Sequence, residues 1–91
     1  MDKLIECRNK IDEIDNKIIE LFEKRMDVVK DVVAYKLENN MQVTDSSREA
    51  AMLEKNLKKI KNEEYKKYYE SVLAGYLKAS KDMQKDIITK K

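Results

Sequence analysis

The chain has 91 residues, 20 basic and 18 acidic side chains, and a formal net charge of +2. That length fills at most one hydrophobic core, and a balanced, mixed-sign surface lacks the electrostatic footprint of a nucleic-acid binder. Proline is absent and Gly75 is the single glycine, which removes the turn chemistry that a β-sandwich or barrel needs.

What remains is a chain of Ile, Leu, Lys and Glu, a composition for long helices. The periodicity predicts a first helix from about Asp2 to about Glu38. Leu4, Cys7, Ile11, Ile14, Ile18, Leu21, Arg25, Val28, Val32 and Tyr35 follow heptad spacing, and all but Arg25 suit a packed seam. A second stripe, Ile5, Ile19, Phe22, Met26, Val29, Val33 and Leu37, widens the apolar face beyond what one neighbour covers. Asn39-Asn40 is a stop, since asparagine tolerates the left-handed C-terminal cap. After Met41-Gln42-Val43, the run Thr44-Asp45-Ser46-Ser47 supplies cap and first-turn residues. The second helix then extends to about Ile60, with Met52, Leu53, Leu57 and Ile60 inward, and Lys61-Asn62 breaks it. A third helix, roughly Glu63 to Ile88, is expected to bury Tyr65, Tyr69, Val72, Leu73, Tyr76, Leu77, Met83 and Ile87. Gly75 inside it costs ~1 kcal/mol relative to alanine, for which a close helix crossing is one explanation. The expected fold class is all-α, three helices per chain in a single domain over residues 1–91.

The first helix is ~50 Å long, whereas a compact globule of this size has a radius of gyration of only ~12 Å. Two shorter helices folded back on it leave much of its apolar face bare. A second copy of the chain is the simplest cover, so a homodimer is expected. The lone Cys7 excludes an internal disulfide and fits a reducing compartment. With no histidine, the usual zinc and triad chemistries lack their main player. No apolar run suits a leader peptide or a membrane span, and a cytoplasmic location is expected.

A few polar residues fall where packing is expected. Arg25 interrupts the seam; either its stem lies along the apolar face with its head in water, or it is buried beside an anion. Lys36, eleven residues on, shares its face ~16 Å away, although alone it reads as a lysine answering the helix dipole. Arg8 lies ~25 Å from Arg25 along the same helix, too far to serve one ligand from one chain; taken singly it is a surface arginine. Asp45, Arg48 and Glu49 share one face at the start of the second helix, where local ion pairs explain them equally well. Ser80 and Gln84 are an i, i+4 pair on the apolar stripe of the third helix, and a satisfied core pair accounts for them too.

In combination these residues resemble the all-α class of chorismate mutases, small intertwined helical dimers, over most of the chain from about Leu4 to about Gln84. The specific segments are Cys7-Arg8-Asn9-Lys10-Ile11-Asp12 with Ile14-Asp15, Glu23-Lys24-Arg25-Met26, Tyr35-Lys36, Val43-Thr44-Asp45, Ser47-Arg48-Glu49, and Ser80 with Gln84. The resemblance implies a Claisen rearrangement of chorismate to prephenate, the branch point toward phenylalanine and tyrosine. It further implies that Arg25 and the partner chain's Arg8 hold the two substrate carboxylates, and that Lys36 and Gln84 donate to the ether oxygen. Glu49 and Asp45 would receive the ring hydroxyl, Arg48 would orient those acids, and Ser80 would support a carboxylate. One departure is a connection between the last two helices that is one residue short, so Ser80 and Gln84 rest on their mutual spacing.

Such a rearrangement moves no proton and forms no covalent intermediate, so the lack of histidine is no obstacle, and neither metal nor cofactor is expected. Two alternatives stand beside it. An isochorismate–pyruvate lyase shares the fold and the basic residues, but retention of both Asp45 and Glu49 favours the mutase. A catalytically silent helical dimerisation module explains the heptads and leaves Arg25, Lys36, Ser80 and Gln84 unexplained.

Overall fold

A computed structural model describes residues 2–42 and 46–89, with the backbone alone at Ser46. The described residues form helices and turns with no strand: α1 (Asp2–Glu38), α2 (Ser46–Leu57), a 3-10 turn (Glu63–Tyr65) and α3 (Lys66–Thr89). The all-α architecture of three helices expected from periodicity is therefore present, and α1 has the expected bounds. The expected cap residues Thr44 and Asp45 lie outside the described residues.

Helix α1 stops because asparagine supplies its cap. Asn40 adopts φ 54°, a left-handed conformation that most side chains resist. In that conformation the Met41 N–H reaches back to the Lys36 carbonyl at 2.8 Å and the Asn40 N–H to the Leu37 carbonyl at 3.4 Å. This pair of bonds is a Schellman motif, which satisfies carbonyls that the last turn would otherwise leave bare. The Asn39 side-chain amide adds a bond to the Tyr35 carbonyl at 2.8 Å.

Helix α2 ends at Leu57, three residues before the expected Ile60. The Lys59 N–H bonds the Asn56 carbonyl at 3.0 Å and the Ile60 N–H bonds the Leu57 carbonyl at 3.2 Å. These i to i−3 bonds tighten the chain into turns and end the α-helical ladder. Asn62 then does more than break the helix. Its backbone is extended and its side-chain oxygen accepts from the Glu64 N–H at 2.9 Å, so it caps the turn that opens α3. Glu63 and Glu64 follow in that first turn, where negative charge suits the helix N-terminus.

The chain divides into two compact units, residues 1–32 and residues 33–91. The first unit is helical throughout its described residues, and its large aliphatic seam residues from Leu4 to Val32 are 44–62% exposed. Phe22, Arg25, Met26 and Val29 are half-buried.

The second unit holds the core. Val33 and Leu73 are its fully buried apolar side chains and Ser80 its buried polar one, among the described residues. Around them Met52, Leu53, Leu57, Ile60, Tyr69, Tyr76, Leu77, Met83 and Ile87 are half-buried. The Asn56 amide donates to the Tyr69 hydroxyl at 3.4 Å, a link from α2 to α3. Tyr65 and Val72, expected to be buried, are exposed. Val72 lies ~100° around the helix from Leu73, so once Leu73 faces the core Val72 turns aside. Tyr65 belongs to the 3-10 turn, whose three-residue period sets it off the α-helical register. A Cβ added at Gly75 meets no atom within 4 Å, so no close crossing among the described residues accounts for that glycine.

Candidate functional site

The first unit carries two of the expected basic residues. Arg8 is exposed and Arg25 is half-buried, both on α1. Seventeen residues of regular helix put ~25 Å between them along the axis, so a small ligand held by one is beyond the other on the same helix.

The second unit carries the rest of the described candidates. Lys36 is half-buried in the last turn of α1. Arg48 is exposed on α2, and Glu49 in its first turn is half-buried. Ser80 is buried, and its hydroxyl donates to the Tyr76 carbonyl one turn back at 3.0 Å. Local bonding of this kind lets a serine sit inside a helix without an orphaned donor. Gln84 follows one turn later on the same face and is half-buried.

Helices α2 and α3 frame a cavity of about 380 Å³ that takes in both Glu49 and Gln84. Small-molecule pockets run from roughly 300 to 1,000 Å³, so this one suits a compact ligand. Ala74, Leu77 and Ile88 form its apolar wall, while Lys78, Lys81 and Lys85 stand with Asp82 along its polar side. The structure thus brings together Glu49 and Gln84, residues far apart in the sequence, on one apolar-walled hollow with cationic edges.

The carboxylate in this hollow is engaged by a residue that sequence reasoning missed. Lys81 Nζ lies 2.8 Å from Glu49 Oε1 and ties α3 to α2. Local spacing gives no hint of the pair, because it joins separate helices and depends on how they pack. Lys78 is committed elsewhere, 2.8 Å from Asp82 Oδ2 on its own helix. Their hydrogen bond raises the Lys78 pKa above its ordinary value and lowers that of Asp82. Both groups are exposed, so the pair adds little to stability.

The described residues are those of a small all-helical protein with a polar-edged hollow between α2 and α3. The family model of chorismate mutase type II matches residues 7–85, and the chain belongs to that family. It is also 45% identical over 49 residues to a chorismate mutase of Methanocaldococcus jannaschii (strain ATCC 43067 / DSM 2661 / JAL-1 / JCM 10045 / NBRC 100440), an alignment covering 54% of this chain. The chain spans about half the length of that curated relative, 50%. No solved structure matches it.

Proposed function

We infer that the protein is an isomerase that converts chorismate to prephenate, acting as a homodimer of one domain over residues 1–91. The observation that carries this reading is the meeting of Glu49 and Gln84 on one cavity, in a chain whose family and site-residue spacing both point to that substrate. In the rearrangement the ether C–O bond breaks as a new C–C bond forms, with no proton transferred. The protein's task is to hold the enolpyruvyl side chain over the ring and to stabilise the charge that grows on the ether oxygen.

Arg25 and the partner's Arg8 take the two carboxylates, since a planar guanidinium pairs with a carboxylate bidentately. Fixing both ends of a flexible substrate recovers orientational entropy before the chemical step. Lys36 and Gln84 donate to the ether oxygen, where one donor aimed at developing charge is worth roughly 10²–10³-fold in rate. Glu49 and Asp45 accept from the ring hydroxyl, Arg48 steadies those acids, and Ser80 supports a carboxylate. The exposed seam of α1 supports the dimer, since apolar surface on that scale marks an interface. No helix among the described residues is long and apolar enough to cross a membrane; the cytoplasmic setting is proposed with the family.

The deciding experiment incubates the purified protein with chorismate and, separately, with isochorismate. Loss of chorismate absorbance with prephenate formed supports the reading. Release of salicylate and pyruvate from isochorismate, with chorismate untouched, replaces it with the lyase. Turnover of neither substrate leaves a dimerisation module.

A further inference from the structure

The Lys81–Glu49 pair has no place in the mechanism above. It joins α2 to α3 at 2.8 Å, with the lysine side chain 46% exposed and the glutamate 22%. A pair this open to water adds little to fold stability, so its consequence falls on where the glutamate points. Glu49 sits in the first turn of α2, where the positive end of the helix dipole draws a carboxylate back toward its own N-terminus. Lys81 instead holds it against α3, on the hollow that Gln84 also lines. The pair occupies Oε1, and a carboxylate has a second oxygen to accept with. Lys78 lines the same hollow but is held by Asp82.

We propose that Lys81 is a positioning residue, tying Glu49 by one oxygen so that the other is presented to the ring hydroxyl of the substrate, and that it makes the site select for that hydroxyl. This rests on the function proposed above. The contact exists in the ground state as well as in the transition state, so losing it raises KM and leaves kcat nearly unchanged.

The test compares full-length wild type, Lys81→Met and Lys81→Arg on chorismate and on its analogue lacking the ring hydroxyl, with helicity and Tm measured for each. Lys81→Met is expected to keep the wild-type helicity and to lower kcat/KM for chorismate about tenfold, the lower end for a hydrogen bond to a charged group. Lys81→Arg is expected to restore most of the loss. On the analogue, wild type and Lys81→Met should be equal, and in a Glu49→Gln background Lys81→Met should cost nothing further. An equal loss on both substrates, a loss that falls on kcat, or no loss with chorismate each overturns the role. A wild type inactive on chorismate instead fails before any variant is compared, and removes the reading of the site together with this proposal.

Discussion

Replacing Ile14 with lysine tests whether the bare seam of α1 is an interface. Ile14 is 57% exposed in the single chain, and that remaining area is what a partner can cover. Full burial of an isoleucine is worth roughly 1.5–3 kcal/mol, so covering the exposed part contributes about 1–1.5 kcal/mol per copy. In a symmetric dimer both copies lose it, giving about 2–3 kcal/mol before any cost of burying the ammonium. At 1.4 kcal/mol per tenfold, the dissociation constant should rise about 30- to 150-fold. Sedimentation equilibrium over a concentration series measures the change, with Asn16→Lys, away from the heptad seam, as the control expected to move little. A wild type that sediments as a folded 10.8 kDa species at micromolar concentration, unaltered by Ile14→Lys, would refute the reasoning.

Three further outcomes are expected. Chains carrying Arg8→Ala, mixed with chains carrying Arg25→Ala, should regain about a quarter of wild-type activity, because half the random dimers are mixed and each has one intact site; no recovery in any mixture contradicts a site shared between chains. Gln84→Glu should be active only toward acid pH, since the protonated carboxyl donates to the ether oxygen and the ionised one repels it; activity is present below the pKa of the new carboxyl and lost as pH rises through it, as a pH–rate profile would show. Gly75→Ala should raise Tm by about 4–8 °C through ~1 kcal/mol of helix propensity, because its added methyl meets open space in the chain; a fall would reveal a partner's backbone packed against that position.

The helices were legible in the sequence because they follow from local rules. The bounds of α1 come from an apolar period that begins at Leu4 and from asparagine at position 40, where the helix ends on a left-handed residue. Heptad spacing alone also marks Arg25 as a polar intruder in the seam. Less legible was anything that depends on how one helix lies against another. The early end of α2 comes with i to i−3 bonds to the Asn56 and Leu57 carbonyls, which replace the α-helical ladder there. Tyr65 and Val72 read as core because they are apolar and in phase, yet local register turned them outward. The Lys81–Glu49 pair was invisible for the same reason: a charge's partner across two elements is set by packing. Of the candidate site, the residue types and intervals could be read from the chain alone, whereas the cavity joining Glu49 to Gln84 could not.

The thin core and the chemistry of the site bear on each other. Val33 and Leu73 are the apolar side chains fully enclosed in the second unit among the described residues, which is little to set against the conformational entropy of ordering the chain. The missing apolar contacts and the missing second arginine have the same source if a partner supplies both. On the function proposed above, a substrate dianion held by Arg25 of one chain and Arg8 of the other should tighten the assembly as well as react there. Binding to the assembled state alone then stabilises that state by mass action. Activity, helicity and oligomeric mass should consequently fall together on dilution, and a substrate analogue should shift all three transitions to lower protein concentration. A chain that kept its helicity while losing activity on dilution would separate folding from assembly and show that the partner is needed for the site alone.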